Sequence, residues 1–396
     1  MRVENAKNLT AQCVAQSVLN EPWEYADADT QQLTHNIHRY SGKFIPQIAA
    51  RAIGILTEPN ELILDPYCGS GTSLLEAAVL GRQAIGIDLS PLATLIATTK
   101  VTPISSKQLF ALQFQLSEWL GSFETHSQLD LFDLTPAAAE IKAAVTNDKR
   151  GADPWYMKWF HRDILYDLLL IDHAIQRLTD DRLRNVARVA FSDILRKSSQ
   201  AHSGYPNVMF DKNAGKRKRP IKPFLVSLER IAEMVASLET SKADWNRIRV
   251  KLGNNTALTL KDHSVDAVIS HPPYIGSIPY AEYGALSLKW LGFDAKILDK
   301  QLTGGNRQTA DVVARFRSGY TQMLLESARV LRPGRYMFLM VGNPVVKGKK
   351  IDLAEMTVEL AKAAGLRLVV QTTRKGVNRR ANKMGDEHLL FFQNRN

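Results

Sequence analysis

Two rhythms of apolar positions run along the chain. Short apolar runs of strand length fall at 61–65, 83–87, 247–252, 265–270, 336–341, 367–372 and 388–392, which predicts seven strands. Apolar residues at helical spacing fill the intervals at 48–56, 73–80, 283–291, 312–331 and 352–364, so strands and helices alternate as in a doubly wound α/β sheet. The link from Arg374 to Arg380 is too short for a crossover helix, and the last strand is therefore expected to run antiparallel. From 106 to 244 the strand rhythm stops. Helical spacing alone remains, at 108–120, 160–178, 182–195 and 224–238, and predicts a mostly helical insertion. Residues 1–32 are polar and mixed, with Glu21-Pro22-Trp23 suggesting an irregular arm packed on the body. The expected division is an arm at 1–32, an α/β domain from 33–105 with 245–396, and an insertion at 106–244.

Composition narrows the partners more than the fold. A length of 396 residues accommodates two to three domains, or one with a large insertion. Apolar residues at 45% and charged residues at 23% are those of an ordinary globular protein. The excess of 51 Lys and Arg over 40 Asp and Glu, a net charge of +11, favours a polyanionic partner. No basic start with an apolar core opens the chain and no run of about 18 apolar residues occurs, which points to no membrane and a cytoplasmic location. Cys13 and Cys68 lack metal-ligand spacing and fit a reducing compartment, so no metal is expected.

Candidate chemistry gathers where predicted strands end. The strand at 265–270 must stop at Ser270-His271-Pro272-Pro273-Tyr274, because proline neither donates to a ladder nor continues into a helix. The fixed loop keeps its carbonyls and carries an aromatic ring beside them. Carbonyls accepting the protons of an exocyclic amine localise the nitrogen lone pair, while the ring stacks on the base. A strand terminator with a core tyrosine is the plain alternative.

Upstream, the strand at 61–65 runs into Pro66-Tyr67-Cys68-Gly69-Ser70-Gly71-Thr72 and then a helix. Gly69 and Gly71 permit a turn that lies close to a ligand and offers free N–H groups, although its spacing is neither GxGxxG nor a Walker loop. Asp88 ends the next strand, about 20 residues further on, where an acid holds ribose hydroxyls; a capping role beside Pro91 is its alternative. His38 to Gln47 forms a basic and aromatic loop before a helix starting near Pro46, which suits the carboxylate of an amino-acid-like cofactor.

Within the insertion, eight Lys and Arg between Arg196 and Lys222, among them Lys216, Arg217, Lys218 and Arg219, face one acid, Asp211. Tyr205 and Phe210 are interleaved with them, so the loop suits phosphates and bases; a solvated charge run is the alternative. Gly304-Gly305-Asn306 lies in a long polar stretch with the character of a lid.

Together these residues resemble the S-adenosylmethionine-dependent amino-methyltransferases of DNA, the N4-cytosine and N6-adenine family. His38 to Gln47 is similar to its motif X, Asp65 to Thr72 to motif I, Asp88 to the motif II acid, and His271 to Tyr274 to motif IV. The resemblance covers about 33–105 and 245–396 and implies a Rossmann-like methyltransferase sheet. It implies that Lys43, Phe44, Asp65, Tyr67, Gly69, Gly71, Thr72 and Asp88 hold S-adenosylmethionine. Ser270, His271, Pro272, Pro273 and Tyr274 would act on a base flipped out of double-stranded DNA. The insertion would then recognise the target through Lys216, Arg217, Lys218, Arg219 and Tyr205, and a cognate restriction nuclease is a natural partner.

His271 stands where the family usually has Ser, Asp or Asn, and Asn254-Asn255 where it often has an acid. Ser270 tilts the expectation toward cytosine N4 over adenine N6. Cytosine C5 chemistry is excluded, since it needs a nucleophilic cysteine and both cysteines lie elsewhere. An RNA amino-methyltransferase and an inactive cofactor-binding protein that grips nucleic acid are the competing readings.

Overall fold

The computed structural model describes residues 9–125, 134–205, 207–276, 279–305, 309–375 and 385–396. Asn306 and the link at 376–380, both used above, lie outside the described residues. Helix α1 (Ala11–Leu19) is capped by the Thr10 side chain, which accepts from Cys13 N. It lies in the arm expected to be irregular. Only Val14 and Val18 of this helix are buried, a stripe too short to show as periodicity. Helix α2 (Pro46–Leu56) starts on its proline as expected, and strand β1 (Leu62–Asp65), helix α3 (Thr72–Val79), strand β2 (Gln83–Asp88) and helix α4 (Pro91–Lys100) follow.

Six helices then succeed one another: α5 (Ser106–Thr125), α6 (Pro136–Thr146), α7 (Pro154–Trp159), α8 (Arg162–Gln176), α9 (Asp181–Ser198) and α10 (Ile221–Ala236). Of these, α6 and α7 were not expected. Helix α6 is alanine-rich, with Ile141 and Val145 as its large buried side chains, and α7 spans six residues. Strands β3 (Ile248–Leu252) and β4 (Val265–Ser270) resume the sheet. The single helix expected at 283–291 is two, α11 (Tyr280–Tyr283) and α12 (Ala285–Trp290), broken at Gly284, where a Cβ would stand 2.9 Å from Leu92 Cδ2.

Helix α13 (Ala295–Gln301), also unexpected, and α14 (Val312–Val330) lead into β5 (Leu331–Gly342). Arg332-Pro333-Gly334 forms an outward bulge in that strand, between the pairs Val265 with Leu331 and Ala267 with Tyr336. A small hairpin of β6 (Val345–Val346) and β7 (Lys349–Lys350), helix α15 (Leu353–Ala363), β8 (Leu366–Arg374) and β9 (Glu387–Asn394) complete the chain.

The seven predicted strands form one sheet in the order β3-β2-β1-β4-β5-β9-β8. Every pairing among β1 to β5 is parallel, and β9 runs antiparallel to both β5 and β8. Strand alternation sorts β5 onto two faces. Tyr336, Phe338 and Met340 join α1, α2 and α3 in one core, while Met337, Leu339 and Val341 join α14 and α15 in another. A third core lies among α5 to α10, with Leu92 and Ile96 of α4 and Ile37 joining it to the sheet side. This is a mixed α/β architecture with a mostly parallel sheet, entered once by a helical block. No described helix is long and apolar enough to cross a membrane.

Candidate active site

Loops leaving β1, β2, β3 and β4 line one cleft, at the point where the strand order reverses beside β1 and ligands gather in open α/β sheets. Its walls include Tyr67, Gly69, Asp88, Asn255, His271, Pro273 and Thr303. The glycine turn is built as the sequence requires: Gly69 has φ +49° and Gly71 φ +78°, and a Cβ on Gly71 would meet Ala97 Cβ at 2.9 Å. Asp65 anchors that turn. Its carboxylate accepts from Tyr67 N at 3.1 Å, from the Ser73 hydroxyl, and from Ser270 Oγ at 2.6 Å, and burial pushes it up to about 6. The structure thus joins the start of the glycine turn to the strand that ends in His271.

Asp88 accepts from Gly69 N at 3.0 Å and Ser90 N at 2.8 Å, and burial pushes it up to about 6. The cap of α4 is Ser90, not Asp88, and Asp88 opens onto the cleft. Asn255 donates to Pro66 O at 2.8 Å, while its Oδ1 is buried with no partner among the described residues. A ligand bearing an amine or a ring N–H would satisfy that atom. A bare amide oxygen, an acid at a strand tip and a glycine cradle fit the adenosine portion of S-adenosylmethionine.

A smaller recess shares Tyr67, Gly69 and His271 with the cleft and adds Lys43, Phe44, Asp65 and Thr72. Lys43 Nζ donates to His35 O at 3.0 Å and His38 O at 2.6 Å, and burial lowers it to about 8. It bends the loop before α2 and brings a cation to the recess. Phe44 is buried, parallel to Phe338 at 6.0 Å and tilted against His271 at 5.4 Å.

The Pro-Pro loop is less open than expected. Ser270 is fully buried and turned to Asp65, so it does not reach the cleft. Tyr274 is only 6% exposed, its ring packed on Gly342, where a Cβ would stand 2.8 Å away. Its flat face is therefore not presented to the cleft, and the core-tyrosine alternative describes this side chain. Its hydroxyl donates to Glu387 Oε1 at 3.2 Å, and His271 Nε2 lies 2.7 Å from the Tyr274 hydroxyl oxygen.

Glu387 pairs with Arg374, which is itself held by Trp23 O at 3.1 Å and Glu24 O at 3.2 Å. A carboxylate only accepts, so the tyrosine proton goes to Glu387 and His271 places its own proton on Nε2. Nδ1 is left as the bare acceptor, without a partner among the described residues. Burial lowers the imidazole below the usual histidine range and keeps it neutral.

Three contributors escaped the sequence reading. Tyr280, parallel to Tyr40 at 6.1 Å, walls the cleft six residues beyond the tyrosine that was singled out. Arg374 and Glu387 face each other in register at the mouth of the β8–β9 pair, and opposite charges there were the available signal. The expected lid is represented by Thr303, whose Oγ1 accepts from Tyr67 Oη at 3.1 Å, and by Gly304 against Pro273.

The basic loop divides. Arg219 pairs with fully buried Asp167, and Arg217 donates to Ser199 O at 2.8 Å and Ala201 O at 3.1 Å, so both brace the loop. Lys216 and Lys218 are exposed and make no ion pair among the described residues. Tyr205 is exposed near the loop tip.

The known proteins to which this chain is similar are methyltransferases. The N6/N4 methyltransferase family, described as DNA methylase, matches residues 3–98. The chain is 24% identical to the type II methyltransferase M.MvaI of Kocuria varians, over 94% of this chain and 92% of that one. It is 22% identical to M.MjaII of Methanocaldococcus jannaschii, over 91% and 79%. A third relative, M.BsoBI of Geobacillus stearothermophilus, is 26% identical over 68% of this chain and 55% of its own length. Two of these matches cover more than nine-tenths of this chain, the glycine turn and the Pro-Pro loop included, and with the family match they support the S-adenosylmethionine-dependent amino-methyltransferases of DNA as its family.

Proposed function

We propose that this chain methylates an exocyclic base amine in double-stranded DNA, at cytosine N4 or adenine N6, as part of a type II restriction-modification pair in the cytoplasm. The observation that carries the reading is the meeting of Gly69, Asp88, Asn255 with its bare Oδ1, His271 and Pro273 in one cleft. When bound there, the sulfonium supplies an electrophilic methyl group, and no covalent nucleophile is required. The protein's part is to orient the amine. The Pro272 carbonyl and His271 Nδ1 would accept its protons, concentrating the lone pair on nitrogen. Asp88 would hold the ribose hydroxyls, Asn255 the adenine edge, and Lys43 the carboxylate of the amino-acid end. Ser270, which ranked cytosine first, is held by Asp65 and leaves the two bases level. The helical block from α5 to α10 would read the target, and the relatives' type II designation supports a nuclease partner of matching specificity.

Transfer of a labelled methyl group to plasmid DNA, followed by digestion and mass spectrometry, tests the reading and names the base. N4-methylcytosine or N6-methyladenine is expected; label only in RNA, or in neither, overturns it. Gly69→Val and Asp88→Ala should each weaken S-adenosylmethionine binding in calorimetry, and unchanged affinity in both would remove the cofactor assignment.

A further inference from the structure

A second cavity, of about 350 Å3, lies between the loop before α2, helix α9 and helices α11 and α12. It shares Tyr40 and Tyr280 with the cofactor cleft, so these two rings form the partition between them. Its rim is a small hairpin that leaves α9. Gln200 O accepts from Asp211 N at 2.8 Å, His202 N donates to Met209 O at 2.8 Å, and Ala201 bridges Phe210.

The tip of this hairpin is braced from within. The Arg196 guanidinium donates to His202 O and Asn207 O, each at 3.0 Å, and to Tyr205 O. Asn207 Nδ2 donates to Glu282 Oε2 at 3.2 Å, which ties the tip to α11 beside the partition. A tip held this firmly nevertheless points apolar side chains at solvent: Tyr205 is 53% exposed and Met209 49%. None of the described residues covers them. Among the described residues, the aromatic contact of the Tyr205 ring is with His202, edge to face at 4.8 Å. Exposed Lys212, Lys216 and Lys218 follow directly along the chain.

We propose that this hairpin is a DNA wedge, in which Tyr205 enters the base stack beside the target pair and holds open the gap from which the base leaves. The inference rests on the methyltransferase reading and extends it to the step before chemistry. A rigid apolar tip with a cationic flank has the chemistry of side chains that part base steps, since apolar surface replaces lost stacking while lysines hold the phosphates. Its place on the rim sets it one cavity away from the cleft that holds the Pro-Pro loop, with Tyr40 and Tyr280 between the two. Phe210 is the less exposed of the two rings, at 42% against 53%, and sits back from the tip, edge to face on Trp159 at 5.7 Å.

The test compares binding to a duplex carrying one abasic site with binding to the same duplex intact. Wild-type protein should prefer the abasic duplex about tenfold, the scale of one base–aromatic stacking contact, because the gap is already open. Tyr205→Ala should bring the ratio close to one, whereas Tyr205→Trp should keep it. A ratio near one for wild type, or a preference unchanged in Tyr205→Ala, overturns the wedge. Neither measurement involves methyl transfer, so failure of the wedge is distinct from failure of the methyltransferase reading, which appears as unlabelled DNA.

Discussion

Two buried acids and one buried imidazole set the pH behaviour of the site, with different consequences. Asp88 is pushed up to about 6 by burial, so as pH falls through 6 it gains a proton and would lose the acceptor capacity proposed above for ribose hydroxyls. S-adenosylmethionine affinity should fall between pH 7 and pH 5 by calorimetry, and Asp88→Asn should flatten that dependence. The same group acts oppositely on stability. Its folded pKa lies above the unfolded value of 3.8, so its contribution is largest below that value and is lost as pH rises through 6. His271 moves the other way, since burial lowers it. A neutral imidazole persists below the ordinary histidine range, and the turnover of bound complex should therefore hold at pH 6 and fall only in more acid solution. A fall in turnover centred at pH 6.5 would show that the ring is not protected.

Tyr274→Phe keeps the ring on Gly342 but strips the shared oxygen from His271 and Glu387. It should cost about 1–3 kcal/mol of stability, the price of unpaired buried polar groups, and lower turnover with S-adenosylmethionine affinity retained. Equal turnover would mean that the tautomer of His271 is set by something else.

At the scale of elements, the basic loop separates cations that brace the protein, Arg217 and Arg219, from cations turned to solvent, Lys216 and Lys218. Neutralising Lys216 and Lys218 should reduce the slope of log affinity against log salt by about two, near one unit per phosphate contact. The same treatment of Arg217 and Arg219 should instead lower the melting temperature, because it strips bracing from Ser199, Ala201 and buried Asp167. That division could not be seen in the sequence, where the four residues form one run. Most of the seven strands were visible as apolar runs ended by a turn, and β3, Ile-Arg-Val-Lys-Leu, by alternation; their bounds shift by only a few residues in the fold. Helices α6, α7 and α13 were not, being alanine-rich or about two turns or less, with packing rather than periodicity to hold them. The glycine turn and Asp88 were legible because a local backbone demand fixes residue type. The direction of Tyr274 was not, because Gly342 and Glu387, far along the chain, decide it.

For the whole molecule, the decisive link is between the N-terminal arm and the Pro-Pro loop. Trp23 is buried under the sheet, parallel to Phe338 at 6.3 Å and tilted on Phe391 at 5.9 Å, with the Arg51 guanidinium 4.0 Å from its ring centre. Its carbonyl and that of Glu24 hold Arg374, which pairs with Glu387, which accepts from Tyr274, which fixes His271. The cofactor side has separate anchors: Asp65 with Ser73 and Ser270, and Asp88 with the Gly69 and Ser90 amides. Trp23→Ala should therefore cost about 3–5 kcal/mol, as expected for removing a large buried aromatic. Beyond that loss, it should slow methyl transfer at temperatures where the variant remains folded, with little change in S-adenosylmethionine affinity, since slackening the arm frees Arg374 but touches neither Asp65 nor Asp88. Denaturant titration, calorimetry and single-turnover kinetics on one preparation separate these effects. A stability loss accompanied by unchanged turnover would show that the Pro-Pro loop keeps its geometry without the arm, and equal losses of affinity and turnover would show that the two halves of the cleft are not independently held.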